Sequence, residues 1–195
     1  MKLHELALQP IDENAIHKIA MAASVLLGLL SHSPTSSTDD NPIRFHYPVV
    51  MDKLVMAVSK KYKVDSLVLK QVVAAARKYE HPDFPTAKDI LAVAGVESSF
   101  NPDATSRLKQ DPARGLMQFR PQVWDIPVED LNTIDGQIKH GANILRQYYE
   151  KLGTREAALH AYNVGITNHK KSLSNPAKGN PRYVPKINKD RSLYD

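Results

Sequence analysis

The sequence predicts a mainly helical fold, and three observations carry that expectation. Apolar residues recur at three- and four-residue intervals, helix-capping residues open those windows, and long alternations of apolar and polar residues are absent. From about Val49 the pattern is helical, with Leu54, Val55 and Val58 on one face. After Asp65, a natural N-cap, Leu67, Leu69, Val72, Val73 and Ala76 form a second apolar stripe, so the two segments read as a helical hairpin. Thr86 and Asp89 have the spacing of a capping box opening a third helix over 87–98, which the Asn101-Pro102 pair must end. Further helices are expected over about 136–152 and from the cap-like Thr154 to about Asn163, before Gly165. No internal repeat is present.

The first 45 residues read differently. Ile19 to Leu30 is an apolar run of 12 residues, short of the roughly 18 to 20 that a bilayer-spanning helix needs. Glu5, Asp12 and Glu13 precede it against only Lys2 and Lys18, which is not the basic flank of a secretory signal. Residues 15–30 therefore predict a helix whose apolar face, with Ile16, Ile19, Val25, Leu26, Leu27, Leu29 and Leu30, needs a docking partner protein or a membrane surface. Residues 31–42 are rich in Ser, Thr, Asp, Asn and Pro and read as a linker. The expected division is a tethering or docking segment over 1–45 and one domain over 46–195.

Composition narrows the chemistry. A chain of 195 residues with 42% hydrophobic and 24% charged residues can bury a core and is neither disordered nor membrane-embedded as a whole. The formal charge of +5 favours polyanions without selecting one. Basic residues are dispersed and no nucleic-acid motif is present, so nucleic acid is not an expected partner. The cluster from Lys170 to Arg191, broken by Asn175-Pro176 and Asn180-Pro181, reads as a solvated tail or a surface for an anionic wall. With no cysteine, disulfides, thiolate zinc sites and cysteine nucleophiles are excluded. The eight histidines show no metal-ligand spacing, and His160 reads as a surface residue, so no metal or cofactor is expected.

One acid stands out. Glu97 follows Val93 by four residues, Ala94 by three and Ile90 by seven, so helical spacing places it on their apolar face. A carboxyl group there loses hydration, which raises its pKa toward the range of a general acid. From this helix alone the alternative, an acid at a helix end pointing into water, stands equally.

The residues that follow add a resemblance. Glu97-Ser98-Ser99-Phe100-Asn101-Pro102, Ala104 and Ser106, then Gly115-Leu116-Met117-Gln118, resemble the signature of the lytic transglycosylases with lysozyme-like folds. Gly141-Ala142-Asn143-Ile144-Leu145 with Tyr148, Ala161-Tyr162-Asn163-Val164-Gly165, and Tyr183-Val184 are similar to that family's later elements in the same order. The resemblance implies a lysozyme-like helical domain, here with an N-terminal helical extension. It also implies cleavage of peptidoglycan glycan strands at the bond from N-acetylmuramic acid to N-acetylglucosamine, giving 1,6-anhydromuramyl ends.

By the same resemblance Glu97 is the single acid and base, Ser106 and Tyr162 hydrogen-bond near its carboxyl, and Met117, Gln118 and Asn163 line the substrate cleft. Gln118 suits the sugar because an amide both donates and accepts. Two departures are visible: the charged stretch 107–114 lengthens the spacing to Gln118, and Arg120 stands where an apolar residue is expected. Arg120 is expected in solvent, with a peptide-stem carboxylate as the other reading. Asp103, Asp111 and Asp125 read as loop residues; one of them held across the bond from Glu97 would instead make the enzyme a hydrolase, a muramidase. The remaining alternative is a virion or secretion-machine component that mainly binds glycan. The expected location is a phage virion acting in the host periplasm, with a bacterial periplasm or envelope as the other.

Overall fold

Asp65 and Thr86 cap helices as their spacing dictates, and the remaining boundaries follow from similar local chemistry. The structure, a computed structural model, describes residues 46–195, with side chains from Lys53 onward. The apolar segment 15–30 and the linker 31–42 lie outside the described residues, and the expected boundary near residue 45 falls at their edge. Helix α1 (His46–Tyr62) and α2 (Ser66–Lys78) form the expected hairpin, with the Leu67 N–H donating to the Asp65 carboxylate at 2.6 Å. Helix α3 (Ala87–Ser98) opens on a reciprocal capping box: the Thr86 N–H donates to Asp89 at 3.1 Å and the Asp89 N–H to the Thr86 hydroxyl at 3.4 Å.

A one-turn helix, α4 (Pro121–Trp124), and a 3-10 turn (Val128–Asn132) lead to the long α5 (Ile134–Leu152). Thr133 caps α5 through the Gly136 N–H at 3.0 Å, so it begins two residues before the expected 136. Helix α6 (Arg155–Val164) starts after the expected Thr154 cap, which accepts the Ala157 N–H at 3.2 Å. The chain then forms α7 (Ile166–Ser172), a 3-10 turn (Pro176–Lys178) and α8 (Tyr183–Arg191). Among the described residues there is no β-strand.

The centre of the assembly is α3. Its residues from Asp89 to Gly95 are all buried, because α2 and α8 pack on it and leave no face for water. The remaining core comes from α5, packed against α2 and α6, with Leu69, Ile138, Leu145 and Leu159 fully buried. Each such side chain stabilises the fold by roughly 1.5–3 kcal/mol relative to exposure. Glu97 thus leaves the most enclosed helix of the domain at its last turn.

The expectation of a solvated tail over 170–191 is corrected here. Tyr183 and Ile187, four residues apart, together with Asp190 bury one face of α8 against α3. The basic residues that dominate the composition occupy its other face. Two apolar anchors among so many charges made a stripe too sparse to read.

Candidate active site

The site begins where α3 ends. Ser99 and Phe100 both take left-handed backbone conformations, with φ of 56° and 61°, so the chain reverses within two residues. That geometry costs a non-glycine residue on the order of 1 kcal/mol and holds only because Phe100 is locked. Its ring is fully buried and meets Tyr62 edge-on at 5.0 Å. The last turn of α3 is therefore held rigidly, and Glu97 with it.

Glu97 is half-buried, and its Oε1 accepts a hydrogen bond from the Tyr183 hydroxyl at 2.6 Å. Burial pushes the Glu97 carboxyl above the usual carboxylate range; the Tyr183 bond and the positive charge of Lys186 pull in the opposite direction without reversing it. Tyr183 is itself 5% exposed. Burial first, then the adjacent Glu97 charge, hold its hydroxyl well above the ordinary tyrosine range, so it remains a proton-bearing donor. The arrangement is a carboxyl that burial makes harder to ionise, beside a hydroxyl that donates a hydrogen bond to it.

What places Tyr183 there is a pair of buried carboxylates clamping α8. Asp89 accepts from the Thr86 hydroxyl at 2.7 Å, from Arg155 Nε at 2.8 Å and from Arg191 Nε at 2.9 Å. Asp190 accepts from Lys61 Nζ at 2.7 Å, from Tyr194 at 3.0 Å and from Tyr62. Both carboxylates are almost completely buried, so only a paired and fully hydrogen-bonded arrangement is tolerable. The clamps join α8 to α1, to the start of α3 and to α6.

A groove of about 350 Å³ is lined among others by Gln118, Trp124, Tyr148, Tyr162 and Asn163; Glu97 is not part of its lining. Tyr162 links groove and acid: it lines the first, and after burial the Glu97 charge is the next cause raising its hydroxyl's pKa. Trp124 and Tyr148 stand edge to face at 5.5 Å, giving the groove an aromatic wall suited to the apolar faces of sugar rings.

The sequence-selected residues fall into this geometry unevenly. The hydroxyl bonded to Glu97 is that of Tyr183, where the resemblance implied Ser106 and Tyr162. Tyr162 donates instead to the Met117 carbonyl at 2.7 Å, and Ser106 Oγ accepts the Ala113 N–H at 2.9 Å. Ser106 is thereby fixed to the far side of the 107–114 loop. Met117 is fully buried, and only its carbonyl, which accepts from Tyr162, faces that residue. Gln118 reaches the groove, but its amide nitrogen already donates to the carbonyls of Ala104 and Gly115, each at 3.0 Å, leaving only its carbonyl oxygen for a ligand. Asn163 is exposed on the groove, its Oδ1 accepting from Asn180 at 2.9 Å.

Arg120 is exposed, as expected, and is also ion-paired. Its Nε donates to the Asp111 carbonyl at 3.2 Å and carboxylate at 3.1 Å, which also satisfies Asp111. That carboxylate is further committed to the Gln122 N–H, so Asp111 is a loop anchor rather than an exposed acid. Asp103 and Asp125 are exposed. No carboxylate figures among the influences on the Glu97 pKa.

Gln137 is the residue that sequence reading missed. Buried on α5, it accepts the Leu116 N–H at 2.7 Å and donates to the carbonyls of Leu131 at 2.7 Å and Pro102 at 3.0 Å. It thus ties together the loop after Glu97, the loop bearing Gln118 and the turn before α5. Gly115 is required there: its φ is 72°, and a Cβ would stand 2.5 Å from Gln137 Oε1. The sequence offered only a glutamine near a helix start, with nothing local to mark it as buried.

A helical domain with one desolvated carboxyl, coupled through Tyr162 to a groove with an aromatic wall, has the layout of a lysozyme-like glycan-cleaving enzyme. The family model of the Transglycosylase SLT domain matches residues 72–184, more than half of the chain, and the chain belongs to that family. It is therefore a lytic transglycosylase of lysozyme-like fold whose substrate is peptidoglycan. No curated protein matches the chain.

Proposed function

We propose that Glu97 is the single acid and base of a non-hydrolytic cleavage between N-acetylmuramic acid and N-acetylglucosamine. The protonated carboxyl donates to the glycosidic oxygen as the bond from the muramyl C1 breaks, and the N-acetylglucosamine portion leaves with that proton on its oxygen. The carboxylate so formed takes the proton from the muramyl C6 hydroxyl, whose oxygen bonds to C1. The product is a 1,6-anhydromuramyl end, the carboxyl regains its proton, and no water is consumed.

The observation that carries this reading is Glu97 itself: a carboxyl raised by burial, hydrogen-bonded to Tyr183, with no carboxylate among the groups that shift it. A two-carboxylate glycosidase places its second acid across the scissile bond, whereas Asp111 is already bound to Arg120. Glu97→Gln keeps the shape and the acceptor for Tyr183 but can neither donate nor recover a proton. It is expected to lower glycan-strand cleavage by roughly a hundred- to ten-thousand-fold with the helical circular dichroism spectrum unchanged. Cleavage close to the wild-type rate would rule out Glu97 as the acid.

A further inference from the structure

A pair of histidines that the cleavage chemistry does not use, one on α6 and one on α7, meets beside the turn entering α8. His160 and His169 meet through their Nδ1 atoms at 2.9 Å, with rings 5.2 Å apart. On its other side, His160 Nε2 accepts the backbone N–H of Asn180 at 3.0 Å. His160 was expected on the surface; instead it is half-buried beneath the turn entering α8.

Asn180 is the hub of that turn. Its side-chain nitrogen donates to Asn163 Oδ1 on the groove at 2.9 Å, its Oδ1 accepts the Arg182 N–H at 3.2 Å, and its carbonyl accepts the Tyr183 N–H at 3.3 Å. Tyr183 in turn donates to Glu97. A continuous series of hydrogen bonds thus runs from His169 through His160 and Asn180 to the catalytic carboxyl. The turn is packed closely on the imidazole: a Cβ on Gly179 would lie 2.9 Å from His160 Nε2.

We propose that His160 is a positioning residue for Glu97, holding the Asn180 turn, and through it Tyr183 and Asn163, only while its imidazole is neutral. This rests on the reading of Glu97 as the acid and base. Because Nε2 accepts the Asn180 N–H, it carries no proton, so the single ring proton sits on Nδ1 and is donated to His169. Protonation places a second N–H against the Asn180 N–H, and the bond is lost.

Burial and then His169 hold the His160 imidazole below the ordinary histidine range. Of the charged groups on the surrounding elements, Glu156 on α6, Lys170 and Lys171 on α7, Lys178 and Arg182 on the turns, and Lys186 and Lys189 on α8 are exposed, while Arg155 on α6 and Asp190 and Arg191 on α8 are at least half-buried and held in ion pairs. With a depressed folded value, the stabilising contact is complete above the ordinary value of 6.5 and is lost as pH falls from there through the folded value.

The test reads the full-length protein by NMR and by turnover. A scalar coupling across the N–H···N bond between Asn180 and His160 Nε2 is expected near pH 8 and should vanish as His160 titrates. His160→Ala should raise the pKa of the Glu97 carboxyl, followed by its carbon-13 resonance, because the Tyr183 bond that holds it down is loosened. His160→Gln, which can still accept from Asn180 and donate to His169, should leave the Glu97 titration near the wild-type one and move the acid limb of glycan cleavage to lower pH. His160→Ala is expected to lower kcat about tenfold with KM little changed.

An absent coupling, or a Glu97 titration identical in wild type and His160→Ala, would overturn the proposal. If His160→Ala does not fold, the coupling and the His160→Gln pH profile still decide it. A wild-type protein that leaves glycan strands intact overturns the function proposed for Glu97, while the coupling and the carboxyl titration continue to report on His160.

Discussion

Tyr183 and Glu97 together illustrate how two residues 86 positions apart make one functional group. The carboxyl is raised by burial, and the Tyr183 hydroxyl tempers that rise by stabilising the anion. Tyr183→Phe removes the tempering, so the Glu97 pKa should climb further. Since the first step needs the protonated acid, the alkaline limb of the pH–rate profile should move to higher pH. At the same time kcat should fall by about ten- to a hundredfold, the equivalent of a charge-assisted hydrogen bond of roughly 1.5–3 kcal/mol. An unmoved alkaline limb would show that the hydroxyl does not act on Glu97. The acid was legible in the sequence only in part from its helix, where a water-facing end stood equally; the motif from Glu97 to Pro102 and its resemblance singled it out. Its partner was not legible, because nothing local to Tyr183 encodes which of several hydroxyls reaches it.

The elements that position the site are held by a few buried polar side chains rather than by apolar packing alone. Gln137 makes three hydrogen bonds to three separate loops. Gln137→Leu leaves the Leu116 N–H and the Pro102 and Leu131 carbonyls without a partner, each costing about 1–3 kcal/mol. The expected loss is about 3 kcal/mol or more, read as a fall in Tm on the order of 10 °C. A Tm unchanged within error would mean that water or loop rearrangement satisfies those groups. Helices with strong caps or apolar stripes, such as α2 and α3, were readable because Asp65 and Thr86 act within their own turn. Helix α8 was not. Its stability comes from Arg191 reaching Asp89 and Asp190 reaching Tyr62, contacts that span most of the domain.

At the scale of the whole molecule, the site proposed for cleavage is built from the described residues. Glu97, Tyr183, Tyr162 and the groove all draw on residues beyond the segment 1–45, which we propose serves to place the enzyme on a partner or a membrane surface. A fragment from about Asn41 onward is therefore expected to stay soluble and to cleave glycan strands at the full-length rate. A fragment that fails to fold would assign the N-terminal segment to the catalytic core. The central claim, cleavage without water, is tested most directly by digesting peptidoglycan in water enriched in oxygen-18 and weighing the new muramyl ends by mass spectrometry. The account predicts ends lighter than reducing ends by one water and free of the heavy isotope. Reducing ends carrying oxygen-18 would contradict it and make the enzyme a hydrolase.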